Sequence, residues 1–587
     1  MEPHSAGGQT GGQARRWPPD VATLLGRVRA ARRRWYLALG LSAALGLVVG
    51  LPLAGIEALI NNVGVGPLRR AALDAQLVVP PVGLAVVWLV LRVGAGGASP
   101  FFSDEYIAAY HDPRHPVDLR QVPARLVAGA VTLATGAAMG LEALGIYLGA
   151  AAATAFSRRF RDVLSGENAR VFLVAGAAAG VSAVFKAPAT GAVFALEVPF
   201  QQDTAPGAVL PALVASAVAY LAVALTTGTT PILAVGANPS FGAAELLGAL
   251  VVGVACGVGA RLFARLMAEA KRFALGHAPA VRVGVASIVV GGAVLVTRAA
   301  YSGPLTLGAG YDVISWATDP RHSLGLVAGL FALRLVATGA TQAGGGSGGM
   351  FVPLVVQGAL LGRLVQDGMQ GLGVISGDRA GALFVLVGMA AFLGAGYRVP
   401  LAAVMFVAET TGKPGFIVPA LLACAAAQLV MGRRSVSAYQ REMRVGHVES
   451  RFELPVARVM RTDVRTVGPE VTLDDLLHVH LPAAQARAAP VVDGRGRYLG
   501  MVRLRDVEQV ERAERAHRTV GEVLTVPPGA EPTWVLRQAL EAMQDAGVEQ
   551  LAVVTDDRRF LGIVTLPAIY GFERPGGSTT PPPPPVR

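Results

Sequence analysis

Cysteine is nearly absent. The 587 residues hold two, Cys256 and Cys424, far apart in apolar sequence. No structural disulfide is indicated, a cysteine-built zinc site is excluded by count, and both residues read as small packing groups. The nine histidines are scattered. No His-Glu-His cluster, Cys/His pair or Ser-His-Asp constellation falls in the apolar region, which argues against a hydrolytic enzyme and leaves no metal site. An apolar leader core is missing as well: the first 20 residues are polar, Gly-rich and contain Pro18-Pro19, so no signal peptide is expected.

What the chain has is hydrophobic length. Hydrophobic residues make up 53%, with 72 glycines and a mean hydropathy of +0.50. Uncharged stretches such as Leu37 to Leu53, Ala75 to Leu91 and Ile288 to Thr297 read as membrane spans or parts of spans. Glycine and proline break many others, so half-length helices are expected. The net charge is +11, mostly arginine lying beside the hydrophobic segments. That placement fits a membrane surface and no nucleic-acid partner. Arg27, Arg29, Arg32, Arg33 and Arg34 precede the first span, which puts the N-terminus in the cytoplasm by the positive-inside rule.

Two internal matches organise the apolar region. Gly140-Leu141-Glu142 and Gly149-Ala150 have partners in Gly349-Met350-Phe351 and Gly358-Ala359; 349 minus 140 and 358 minus 149 both give 209. Gly176, Phe185, Lys186, Pro188, Phe194 and Glu197 align with Gly388, Tyr397, Arg398, Pro400, Phe406 and Glu409; 388 minus 176 and 409 minus 197 both give 212. Glycine-broken helix starts repeated in two hydrophobic halves point to a transport site where the halves meet near the bilayer midplane. A lone glutamate there, Glu142, is costly unless it faces water, an ion or a proton path. Free helix N-termini supply dispersed positive charge for an anion, and glycines let the backbone approach it.

Gly348-Gly349-Met350-Phe351-Val352-Pro353 matches a GGxFxP motif, and Ala187-Pro188 through Glu197 matches an xAPxxGxxFxxE block. On these segments the region resembles the CLC family of chloride channels and chloride/proton antiporters. The resemblance implies an all-α polytopic membrane fold of two related, inverted halves over about 35–440, in a cell membrane, as a homodimer with a pore in each subunit. It implies chloride or a similar small anion as the transported partner and the lipid bilayer as surroundings. Glu142 takes the place of the gating glutamate in the family's GREGP motif, with Leu141 for the arginine and Ala143-Leu144 for Gly-Pro. Gly349 and the amides of Met350 and Phe351 would bind the anion. The GSGIP motif falls on Pro100 to Asp104, where no serine takes the strict position and Ser99 or Ser103 would substitute. The family's central tyrosine aligns with Val436, and Tyr439, one helical turn on, stands for it. Lys186 would supply positive pore potential, or else it is a snorkelling lysine at a helix end. Glu197, Glu409, Pro188 and Pro400 read as structural. Val198 occupies the position of the internal proton glutamate, which favours channel-like or weakly coupled flow. Proton-coupled exchange of chloride or fluoride through another relay is the alternative.

After Gly432 the composition turns charged. Ala489-Pro-Val-Val and Tyr498-Leu-Gly-Met-Val repeat as Leu551-Ala-Val-Val and Phe560-Leu-Gly-Ile-Val, with Gly500 and Gly562 in register. Each unit reads as strand, turn, strand, helix, preceded by a helix such as 473–480 or 533–544. The pair resembles tandem CBS domains, a small α/β module at 455–510 and 518–572, placed in the cytoplasm. In the family an adenine nucleotide is gripped by Thr or Ser and Asp. Asp506 and Thr565 are single survivors of that pattern in separate units, so no cofactor is expected and a dimerisation role is preferred, with an adenine nucleotide held at Asp506 and Thr565 as the alternative. A membrane-anchored CBS regulator with a degenerate pore is the competing class. The 1–34 leader is read as basic and flexible, and the Pro-rich 575–587 tail as disordered.

Overall fold

The computed structural model describes residues 21–112, 116–205, 207–233, 240–375, 382–442, 452, 454–484 and 487–570, the side chains of 21–34 and 483–484 excepted. The first 20 residues of the leader, the 575–587 tail, Arg114 and His115 lie outside this set. The chain divides into two compact units, Met1–Arg444 and Val445–Arg587.

In the first unit the N-terminal half holds α1 (Val21–Leu59), α2 (Gly66–Arg70), α3 (Leu73–Gly94), α4 (Glu105–His111), α5 (Val122–Ala134), α6 (Glu142–Arg159), α7 (Glu167–Phe185), α8 (Pro188–Glu197) and α9 (Val209–Thr227). The other half holds α10 (Ala243–Gly276), α11 (Pro279–Tyr301), α12 (Tyr311–Ala317), α13 (Leu324–Ala343), α14 (Phe351–Gly371), α15 (Leu383–Tyr397), α16 (Pro400–Thr411) and α17 (Ile417–Met431). Helix α1 already runs at Val21, so residues 21–34 of the expected flexible leader are helical. Their Arg, Ala and Leu content suits a helix. Eight helices among the described residues are long and apolar enough to cross a membrane, while α8 and α16 are half-length because Pro188 and Pro400 start them late.

Pairing of α6 with α7 is mirrored by α14 with α15, and α1 with α9 by α10 with α17. Small residues make each seam. A Cβ on Gly149 would collide with the Gly176 carbonyl, and one on Gly358 with the Gly388 carbonyl. Likewise Gly46 faces Ala215 and Gly253 faces Ala423. Water does not drive helices together inside a bilayer, so association relies on close backbone packing. Large apolar side chains such as Leu247, Val251, Val258, Ile288 and Leu429 stay exposed on the outer faces, where lipid would cover them.

In the second unit β1 (Ala488–Val492) pairs antiparallel with β2 (Tyr498–Arg503), and β3 (Gln550–Val554) with β4 (Phe560–Thr565), each hairpin shifting register in the same place, at Val491/Val492 and Val553/Val554. Gly500 and Gly562 lie against the backbone of Thr525 and Arg461 respectively, which is why both repeats keep glycine there. Helices Leu504–Glu508 and Leu566–Tyr570 follow the two hairpins. The helix expected over 533–544 is observed at Leu536–Ala546.

Candidate functional site

The two glycine-broken stretches meet. Gly140 and Gly349 exchange both backbone hydrogen bonds, Gly140 N to Gly349 O at 2.9 Å and Gly349 N to Gly140 O at 2.8 Å. This bridge sets the N-termini of α6 and α14 beside each other. Glu142, the first residue of α6, is 1% exposed and sends its carboxylate across to the other half. Its Oε1 accepts from the Phe351 amide at 2.6 Å, at the first residue of α14. Oε2 has no hydrogen-bond partner among the described residues. A Cβ on Gly349 or Gly140 would collide with this carboxylate, so glycine at both positions leaves room for it in this seat. The amide end of α14 is a place for one negative charge, and a side chain holds it here.

A tight cavity adjoins the carboxylate. Its lining includes Ser103, Asp104, Glu142, Val198, Gly349 and Tyr397. The repeated aromatics gather beside it: the Phe351 ring lies 4.6 Å from Phe185, 5.4 Å from Phe194 and 4.8 Å from Phe406. All are buried.

The second repeat closes on itself in the same way. Glu197, ending α8, accepts from the Leu401 and Ala402 amides at 3.3 and 2.9 Å, at the start of α16. Glu409, near the end of α16, accepts from the Ala189 and Thr190 amides at 2.9 and 2.7 Å and from the Thr190 hydroxyl at 2.6 Å. Each half-length helix thus has its free N-terminal amides satisfied by the other's glutamate. Reciprocal capping requires antiparallel helices. It also engages both carboxylates with backbone, away from the cavity.

Two expected site residues are placed elsewhere. Tyr439 is 53% exposed and does not line the cavity. The expectation treated the step from 436 to 439 as one helical turn, but the described chain beyond Gly432 is irregular. Lys186 is also absent from the lining. Its Nζ donates to the Thr227 and Gly228 carbonyls at 3.3 and 3.2 Å, closing the C-terminus of α9. Its repeat mate Arg398 donates in the same manner to the Gly432 carbonyl after α17. Both hold left-handed backbone, with φ of 49° and 58°. Glu57 of α1 lies within electrostatic reach of Lys186, further masking its charge. Lys186→Met should therefore leave the salt dependence of anion flux unchanged and cost roughly 0.3–1 kcal/mol of stability, the usual worth of a cation at a helix C-terminus. Flux at low and high salt together with a thermal scan checks this.

Tyr397 and Asp104 were not singled out as site residues by sequence. Tyr397 had a signal, since the repeat places a hydroxyl opposite Phe185, but alignment pointed to the last membrane helix. Asp104 was visible only as the last residue of the Pro100 to Asp104 segment aligned with GSGIP.

In the second unit, Arg503 Nε donates to Asp506 Oδ2 at 2.7 Å. The Thr565 hydroxyl accepts from the Ala568 amide at 3.2 Å, at the start of the following helix. Asp506 and Thr565, the two matches to a ribose-gripping pattern, therefore already serve local structure.

The sequence matches the family model described as voltage gated chloride channel over residues 82–432, and the CBS domain model over 456–510 and 520–570. Among curated relatives, the H(+)/Cl(-) exchange transporter ClcA of Citrobacter koseri is 28% identical over 410 residues, covering 66% of this chain and 84% of the relative. The voltage-gated ClC-type chloride channel ClcB of Escherichia coli O9:H4 is 30% identical over 308 residues, covering 52% of this chain and 71% of the relative. Among solved structures, a slow cyanobacterial Cl-/H+ antiporter aligns at TM-score 0.59 and 20% identity, covering 67% of this chain and 94% of that one, a likeness of fold.

Proposed function

The chain belongs to the CLC family of chloride channels and chloride/proton antiporters, with a C-terminal pair of CBS domains, and from that membership we propose that it carries chloride or a similar small anion through a path gated by Glu142. One observation carries the reading: the Glu142 carboxylate is seated on the Phe351 amide at the N-terminus of α14, 2.6 Å away. A carboxylate in that seat competes with an anion for the same amides. Uncharged by a proton, it would release them. Gly349, Met350, Phe351 and Ser103 form the anion's surroundings in this reading, with Tyr397 in the place expected of Tyr439.

Val198 cannot carry a proton, which favours passive flow. The second reading, exchange of chloride or fluoride for protons, is favoured by Asp104, a different acid in the same cavity. We place the protein in a cell membrane, as a homodimer by family membership, with its N-terminus and CBS pair in the cytoplasm on the arginines before the first span. The CBS pair serves dimer assembly without a bound nucleotide. The degenerate-pore reading is disfavoured because the elements of the seat are together.

The test is anion efflux from liposomes holding the purified full-length chain, with valinomycin carrying the countercharge. Chloride release well above that of empty vesicles is expected. Release of chloride and of fluoride both equal to that of empty vesicles would overturn anion transport and return the protein to the regulatory class.

A further inference from the structure

Asp104 stands at the N-cap position of α4, where an aspartate ordinarily accepts hydrogen bonds from its own helix. It makes no such bond. The residue is 8% exposed and lines the cavity with Glu142 and Val198. Its Oδ2 is 3.8 Å from Lys271 Nζ on α10, and that ammonium also lies 5.4 Å from the centroid of the Phe101 ring. The carboxylate is hydrogen-bonded to the Ser437 side chain and the Ala438 backbone. Tyr397, on α15, has its phenol within electrostatic reach of both Glu142 and Asp104 and hydrogen-bonded to the Met350 backbone. The other ionisable neighbours are occupied: the Tyr106 hydroxyl donates to the Ala195 carbonyl at 2.7 Å, and Glu105 is paired with Arg125.

A carboxylate facing an anion path is costly twice over. It is desolvated, with one lysine at ion-pair range, and it repels the anion that must pass. A purely structural cap would avoid both costs by bonding its own helix. Ionisable groups held inside a membrane domain against such costs mark ion paths or proton relays. Two carboxylates share this cavity, with a phenol in reach of each.

We propose that Asp104 is the second proton-handling group of this transporter, exchanging a proton with Glu142 across the cavity through the Tyr397 hydroxyl and water. The proton leaves the Asp104 carboxyl, neutralises the Glu142 carboxylate and frees the α14 amides; the carboxylate left at 104 is reprotonated from the opposite side of the membrane domain. No bond between heavy atoms changes. The inference rests on the reading of Glu142 as the gate and takes the second reading, exchange for protons, over passive flow.

The experiment follows chloride and protons together in liposomes of the full-length chain under an imposed chloride gradient. Wild-type protein is expected to move protons with chloride. In Asp104→Asn the number of protons moved per chloride should fall at least tenfold, and Asp104→Glu should restore it. Chloride efflux by the wild type with no proton movement overturns the inference while leaving anion transport standing. An unchanged ratio in Asp104→Asn overturns it too, as does a folded Asp104→Asn protein that moves neither ion. Should Asp104→Asn not fold, Lys271→Met decides. Removing the cation beside Asp104 strengthens its hold on a proton, so half-maximal proton movement should shift to higher pH, and an unshifted profile counts against the inference. Absence of chloride efflux in the wild type is the distinct failure of the underlying function.

Discussion

Glu142→Gln is expected to yield anion flux that is faster at neutral pH and has lost the gate's response to pH. Glutamine keeps the shape, and its carbonyl oxygen can still accept from the Phe351 amide that Glu142 now holds at 2.6 Å. It loses the charge. A hydrogen bond to a charged group contributes about 1.5–3 kcal/mol, against roughly 0.5–1.5 for a neutral pair. The difference, about 1 kcal/mol or somewhat more, is a five- to tenfold loss of competitiveness against an anion for the same amides, which sets the expected rise in flux. The neutral side chain has no proton to gain over the acid to neutral range, so the part of the pH response that comes from gating at Glu142 should vanish with it. Glu142→Ala, which empties the seat, should behave alike. Efflux measured at several pH values decides the matter: a Glu142→Gln protein that keeps the wild-type pH profile would remove Glu142 as the gate.

Much of this site could be read from residue order because the membrane half is duplicated. The pairs at offsets of 209 and 212 become neighbours, and Gly140 bonding Gly349 is the plainest case. A repeat announces which residues are equivalent. It does not announce which touch. Glu197 and Glu409 could be read as backbone-bonded from their shared position, but that each caps the other's helix requires the antiparallel crossing, which no spacing encodes. The α1–α9 and α10–α17 seams carried only small residues as a signal, and these are common throughout so glycine-rich a chain. Where spacing was converted to geometry by assuming a helix, at Tyr439, the assumption failed because the backbone there is not helical. Lys186 shows a different limit. Charge next to a pore motif suggested electrostatics, whereas the carbonyl ends it closes come from a helix about forty residues further on. Asp104 was hidden because its carboxylate acts through the fold, in a cavity assembled from segments far apart in sequence.

The seams that hold the two halves give the second large effect. Gly176→Leu and Gly388→Leu should each abolish recovery of a monodisperse protein in detergent. At Gly176 a Cβ would collide with the Gly149 carbonyl, and at Gly388 with that of Gly358. The obstacle is the backbone of the facing helix in both cases, so no rotamer change relieves it. Overpacking a core costs about 1–3 kcal/mol when side chains can shift, and more is expected where two helices must separate along their length. Separation would also displace the start of α6, which carries Glu142, in Gly176→Leu, and the start of α14, which carries Phe351, in Gly388→Leu. Gly368, on the same α14, has open space where its Cβ would be. Gly368→Ala should hold stability or raise it by up to about 1 kcal/mol through helix propensity. The contrast separates close approach from any general sensitivity of glycine positions. Size-exclusion profiles and melting temperatures of the three variants measure it. A Gly388→Leu protein that elutes and melts like the wild type would mean that α14 and α15 do not meet through their glycines, and the mirrored architecture on which the site depends would lose its support.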